Sequence, residues 1–221
     1  MRPIPAATVI VQRDDRNGDH EILMVQRNPQ LPVQGGAWAF PGGHIDPADH
    51  RAGGTLATAA ACAVRETAEE VALCLDPTTL RPLARWITPA QVRPRFDTWI
   101  FIAPMPGGEI RVDGREIVDF AWHRPAAALE AHHRGEIALP PPTFVMLTRM
   151  VEGTECSRIE SITALPAVFR PRLFETGAGK YTLFEEDAGY ADGDLKRRGV
   201  LHRLRLGPGP WRYEFHGESV R

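Results

Sequence analysis

The chain has 221 residues, 43% hydrophobic and 24% charged, enough for one sizeable core and a small appendage. That balance excludes a disordered chain, and a formal net charge of −2 excludes a global basic field for nucleic acid or anionic membrane. No apolar run approaches the ~20 residues of a membrane span, Met1–Pro5 lacks the apolar core of a signal peptide, and the sparse Cys62, Cys74 and Cys156 point to reduced thiols in a cytoplasmic protein.

Residues Ala7–Gln12 predict a buried strand and Glu21–Gln26 a second, with a turn over Asp14–His20 that contains Asn17-Gly18. Ala37–Phe40 reads as a short strand running into Pro41-Gly42-Gly43, and residues 44–54 as a polar loop. Thr55–Leu75 is rich in Ala, Leu and Glu and predicts a helix, with Thr55 as N-cap and Asp76-Pro77 as the stop. At ~100° per residue, Ala57, Ala61, Val64, Ala68, Val71 and Leu75 share the face expected to lie on a sheet.

Further strands are expected at Arg81–Thr88, Phe96–Ala103 and Ile117–Trp122, and helices at Ala126–His133 and Thr143–Val151, separated by Leu139-Pro140-Pro141-Pro142. After Gly153 short strands are expected at Phe169–Phe174, Tyr181–Glu186, Leu201–Leu206 and Trp211–Phe215. The pattern reads as an α/β sandwich over residues 1–153 with a β-rich extension over 154–221. Trp211, Tyr213 and Phe215 alternate, so one strand face carries three aromatics to bury. The extension is expected to pack on the core, where it caps a cleft or builds a homodimer interface.

The chemistry concentrates in Arg65-Glu66-Thr67-Ala68-Glu69-Glu70. On a helix Glu69 and Glu70 follow Glu66 by three and four residues, so three carboxylates crowd one arc, opposite the apolar face. Arg65, four residues before Glu69, can hold one of them; hard cations such as Mg²⁺ or Mn²⁺, which prefer oxygen ligands, would neutralise the rest. Taken alone, the string is also compatible with a solvated glutamate face. What singles it out is the strand upstream, Trp38-Ala39-Phe40, which enters a glycine turn where backbone can approach a ligand closely.

Together these segments resemble the Nudix hydrolase family, whose signature runs from a glycine through a glutamate to R-E-U-x-E-E-x-G-U, U being a bulky aliphatic residue. Phe40-Pro41-Gly42-Gly43 and residues 65–73 carry the likeness, which covers about residues 5–150. It implies a Nudix-type α/β/α sandwich with a mixed sheet, Glu66, Glu69 and Glu70 as ligands for Mg²⁺ or Mn²⁺, Arg65 as their orienting residue and Gly43 as the opening glycine. The chain departs from the signature in four places. The loop before Arg65 is eight residues longer, Ala57 stands where the early glutamate belongs, Thr67 replaces the first aliphatic residue, and Ala72 replaces the glycine. The long loop, Arg95-Phe96-Asp97-Thr98 and Gly135–Thr143 resemble the subgroup that includes acyl-CoA diphosphatases.

The resemblance extends the candidate site. Glu116 is expected as an additional acid, ligand or general base, and could equally be a strand-edge residue. Arg27, Gly42, Gly43, Arg95 and Asp97 are expected to line a substrate cleft. Asp46 and Asp49 read as turn residues, Phe96 as core, and Gly177-Ala178-Gly179-Lys180 lacks the pattern of a phosphate loop. Adjacent His132 and His133 point in different directions on a helix, and Cys62 has no general base beside it in sequence. The expected activity is metal-dependent hydrolysis of the diphosphate bond of a nucleoside diphosphate linked to another moiety, CoA or acyl-CoA foremost. The alternatives are ADP-ribose or a dinucleoside polyphosphate as substrate, or a non-catalytic nucleotide-sensing module. The expected partner is a small nucleotide, with neither nucleic acid nor membrane.

Overall fold

The computed structural model describes residues 2–14, 19–153, 165–177, 179–207 and 209–216. The expected Asn17-Gly18 turn tip and Cys156 lie outside them. Among the described residues, twelve strands and three α-helices follow in chain order: β1 (Ile4–Asp14), β2 (His20–Arg27), β3 (Trp38–Ala39), β4 (Gly42–His44), α1 (Gly54–Val71), β5 (Arg81–Ile87), β6 (Phe96–Pro104), β7 (Ile117–His123), α2 (Pro125–His133), α3 (Pro141–Val151), β8 (Ala167–Phe169), β9 (Arg172–Thr176), β10 (Gly179–Leu183), β11 (Leu201–Leu206) and β12 (Arg212–His216).

The chain divides into two compact units. The larger takes Pro5–Arg85 and Thr98–Ala167; the smaller takes Met1–Ile4, Trp86–Asp97 and Val168–Arg221. In the larger unit the strands run in the order β3-β2-β1-β6-β5, with β4 added to β1 and β7 to β2. β1 pairs antiparallel with β2 and β4, and β2 with β3 and β7. Period-two alternation sorts each strand between two faces. Val9, Val11, Leu23, Val25, Phe101 and Ala103 join Ala59, Cys62 and Ala63 of α1 in one core. Their neighbours Ile10, Ile22, Met24, Ile100 and Ile102 are buried too, so the sheet is covered on both faces. The α2–α3 pair, with Phe144, Val145, Met146 and Leu147 buried, adds a further helical layer among the described residues of this unit. This is the expected α/β sandwich.

α1 departs from the expectation in three ways. Gly53, not Thr55, is its N-cap, and it ends at Val71, four residues before the expected Leu75. Ala72 takes the left-handed conformation (φ 59°), its N–H returns to the Ala68 carbonyl, and the chain turns out of the helix well before Pro77. The buried stripe is also rotated. Ala59, Cys62, Ala63, Thr67, Glu70 and Val71 are inside, whereas Ala57, Ala61, Val64 and Ala68 are only half-buried. Small Ala, Cys and Thr side chains let the helix sit close on β1 and β4, which apolar periodicity alone does not register. Thr67 fits an apolar position because its hydroxyl donates to the Ala63 carbonyl at 2.7 Å.

The smaller unit contains the sheet β12-β11-β10-β9, antiparallel throughout. The strand expected at Phe169–Phe174 is broken into β8 and β9 around Arg170-Pro171, since proline supplies no ladder donor. Trp86 stacks on Phe169 (5.4 Å), and Phe184 stacks on His202 (4.3 Å), so residues around 86 belong with the tail. Of the three aromatics expected to be buried, Tyr213 is, its hydroxyl against His202 Nε2 at 2.8 Å, while Phe215 stays 36% exposed and Trp211 half-buried. The fully buried Asp187 takes Arg203 in a two-pronged ion pair, both contacts 2.7 Å, and also accepts the N–H groups of Gly189 and His202.

The left-handed Ala72 yields a direct test. A side chain there costs about 1–2 kcal/mol, partly offset because glycine loosens the unfolded chain. Ala72→Gly should therefore raise stability by about 0.5–1 kcal/mol, read from the midpoint of urea unfolding.

Candidate active site

The site belongs to the larger unit and is built from the turn into β4, the loop after it, and α1. Thr8 fastens the turn, donating its hydroxyl to the Pro41 carbonyl at 2.6 Å, and the register pairs Ala7 with Gly43 and Thr8 with Gly42. Gly42 has φ +148°, and a Cβ there would collide with the Ala7 carbonyl and Thr8 backbone. At Gly43 a Cβ would lie 2.5 Å from the Glu66 carboxyl carbon. Both glycines are needed for close approach, one to β1 and one to the helix carboxylate.

Glu66 and Glu70 lie on the buried side of α1, and of the three carboxylates only Glu69 is exposed. This reverses the expectation that all three stand opposite the packed face. Glu70 Oε2 accepts the Gly42 N–H at 2.9 Å. Burial pushes its pKa up to about 8; the Gly42 hydrogen bond and Arg27 act in the opposite direction, while the charges of Glu66 and Glu116 push it further up. Glu66 is raised for the same leading reason, with Arg65 opposing. At both groups burial is the leading cause, ahead of the neighbouring charges.

Arg65 is the hub. Its Nε and Nη2 donate to the two oxygens of Asp49, each at 2.9 Å, and Nη2 also to the His44 carbonyl at 2.9 Å. Its Nη1 contacts Glu66 Oε1 and Glu69 Oε2, both at 2.9 Å. Asp49 corrects the expectation of a mere turn residue. It is buried, held well below the usual carboxylate range chiefly by the Arg65 hydrogen bonds, and its Oδ2 accepts the Asp46 N–H at 2.8 Å. A signal for it existed in Asp46-Pro47-Ala48-Asp49, an acidic cap, a proline at the first position and a reciprocal acid three residues on. Cys62 is structural: its thiol donates to the His44 carbonyl at 3.2 Å, and burial pushes its pKa to about 12.

Glu116 precedes β7, in electrostatic range of Glu66 and Glu70. Arg27 closes β2, within range of Glu70, and its Nε donates to the Val33 carbonyl at 3.4 Å. Arg95 and Asp97 fall in the smaller unit, where Arg95 Nε donates to the Thr88 carbonyl at 3.1 Å. Phe96, expected in the core, is half-buried. His132 and His133 both pack against Phe144.

The donor set suits a divalent cation. Glu66, Glu69 and Glu70 offer only oxygens, and Glu70, raised chiefly by burial, would be favoured in its charged form by a cation beside it. Among the described residues, however, no three His, Cys, Asp or Glu side chains converge closely enough to hold an ion as they stand. Glu66 and Glu69 are instead engaged by Arg65.

Two outcomes follow. Asp49→Ala strips Arg65 of two charge-assisted bonds. The partner is 23% exposed, so the cost falls below the ~3–5 kcal/mol of a fully buried pair, at about 2 kcal/mol, measured by urea unfolding. Glu70 gives a pH signature in chelator-treated protein. Its folded pKa of about 8 lies above the ordinary 4.5, so the stability gained by keeping it protonated is complete below pH 4.5 and is lost as pH rises through 8. Glu70→Gln should remove that fall, leaving the variant's Tm above wild type at pH 8.5; an unchanged pH profile would refute the assignment.

The NUDIX domain family matches residues 2–141. An acyl-coenzyme A diphosphatase of Xenopus laevis, NUDT19, is 33% identical over 76 residues, a stretch amounting to 32% of this chain and 20% of that protein. A solved NUDIX hydrolase from Alicyclobacillus acidocaldarius superposes with TM-score 0.63 at 24% identity, over 75% of this chain and 98% of that one. The NUDIX domain of Shewanella oneidensis NrtR, complexed with ADP ribose, gives TM-score 0.52 at 17% identity, over 69% and 89% of the two chains. At such identities the structural likeness speaks for the fold. The family match spans well over half the chain and includes the glycine turn and the whole glutamate helix, so this protein belongs to the Nudix family.

Proposed function

We propose that the protein is a metal-dependent diphosphatase acting on a nucleoside diphosphate linked to another moiety. The observation that carries this reading is the Arg65 hub, which holds Glu66 and Glu69 beside a Glu70 buried against the Gly42 amide. Glu66, Glu69 and Glu70 would hold Mg²⁺ or Mn²⁺. Such an ion, when bound, supplies charge neutralisation on the diphosphate oxygens and a more acidic water. Arg65 orients the carboxylates, the glycine turn lets backbone approach the substrate, and one of Glu66, Glu69, Glu70 or Glu116 takes the proton from the attacking water. Water adds to phosphorus, and the P–O–P bridge breaks with the second phosphate leaving.

Among substrates, CoA or an acyl-CoA is favoured, cut to adenosine 3′,5′-bisphosphate and a 4′-phosphopantetheine product. The support is the identity to the acyl-coenzyme A diphosphatase of Xenopus laevis, although that match spans only 20% of the relative. Arg93 and Arg95 flank Pro94 and are the cations considered for the 3′-phosphate; each also donates to carbonyls of its own loop, Arg93 to Ala90 and Val92 and Arg95 to Thr88. ADP-ribose is the second reading, since the NrtR domain of the same fold is complexed with it. A sensing module is disfavoured, because a sensor has no need of the intact Arg65-Glu66-Thr67-Ala68-Glu69-Glu70 string.

The test is hydrolysis of CoA, an acyl-CoA, ADP-ribose and a dinucleoside polyphosphate side by side, with Mg²⁺ or Mn²⁺ and with chelator. Turnover should require metal, and Glu69→Gln or Glu70→Gln should lower it at least ~100-fold. Full activity in excess chelator would overturn the mechanism. A kcat/KM for ADP-ribose about tenfold or more above both CoA species would overturn the substrate choice alone.

A further inference from the structure

The segment between β6 and β7 is clipped to the end of the glutamate helix. Arg111 donates its N–H to the Val71 carbonyl and Asp113 its N–H to the Glu70 carbonyl, both at 3.1 Å. These are carbonyls of the last turn, which have no partner within the helix. The Asp113 carboxylate then turns back over the loop. Its Oδ2 accepts the N–H groups of Arg115 (3.2 Å) and Glu116 (3.0 Å), and its Oδ1 that of Ile117 (2.8 Å). Gly114, at φ +71°, permits the reversal. Asn28, next to Arg27, secures the far side: its N–H donates to the Glu116 carbonyl and its Nδ2 to the Arg115 carbonyl, each at 2.8 Å. Both polar groups of the Glu116 main chain are therefore held, on a residue whose side chain is otherwise exposed.

We infer that Asp113 is a positioning residue for this diphosphatase, its carboxylate fixing the main chain from which the Glu116 side chain extends while its amide ties that loop to Glu70. The inference rests on the proposed activity and on Glu116 acting in it. An exposed loop acid left to itself samples many directions, and loss of a reacting group's orientation costs of order 100-fold in rate. Three amide contacts from one carboxylate, anchored on the turn that carries Glu70, fix the main chain under Glu116 and so narrow the directions its side chain can take, without Asp113 touching the substrate.

The experiment is a double-mutant cycle on the full chain with Mg²⁺, using CoA and ADP-ribose as probes. Asp113→Ala should lower kcat about 10–100-fold with KM little changed. In a Glu116→Gln background the same substitution should have no further effect, because its only route to the reaction is gone. Asp113→Asn keeps one acceptor oxygen and should recover part of the loss. In metal-free protein, amide hydrogen exchange at 115–117 should accelerate in Asp113→Ala. Additive losses in the cycle, or unchanged exchange, would overturn the inference and leave the diphosphatase reading standing. Absence of turnover by the wild-type protein on any probe would remove the reading and the inference together.

Discussion

Five donors on one guanidinium organise this site. Arg65 spends them on Asp49 in the long loop, on the His44 carbonyl of β4 and on Glu66 and Glu69 of its own helix. A lysine could not do this, since only the planar fork grips a carboxylate with two bonds and still reaches a third partner. The long insertion before the helix is therefore a structural part of the site. It delivers a buried carboxylate to the back of the arginine, leaving the front for the glutamates.

The same site carries an electrostatic deficit. Glu70 is buried, and among the described residues its side chain takes its direct hydrogen bond from the Gly42 amide. Arg65 is committed to other carboxylates, and Arg27 acts on Glu70 at longer range. Burial and like charge consequently dominate, and the folded chain favours a proton on Glu70. A protein selected for stability alone would have placed an apolar residue there. Retaining the carboxylate is the kind of local cost that accompanies a binding or catalytic site.

The smaller unit handles buried charge differently. Asp187 is fully buried, yet Arg203 and two backbone amides satisfy it. Around it, Trp86, Phe169, Phe184, His202 and Tyr213 form a continuous aromatic cluster. Here the buried acid is met by its own arginine, in contrast to the balance at the glutamate helix.

Much of this was readable along the chain. Strand and helix positions followed from local periodicity, and the order of Arg65, Glu66, Glu69 and Glu70 after a glycine turn marked the family and pointed to a candidate site, because helical geometry makes i, i+3 and i+4 neighbours regardless of context. What tertiary structure alone decided was which side of the helix faces inward. Alanine is compatible with either side, so Ala57, Ala61 and Ala68 carried no directional information, and contact with β1 and β4 turned Glu70 inside. Likewise Asp49 and Asp113 look like ordinary turn residues until folding brings them to Arg65, 16 positions on, and to the end of the Glu70 helix turn. A carboxylate's role depends on the donor it meets, and those donors come from distant elements or from backbone amides whose direction only the folded chain sets.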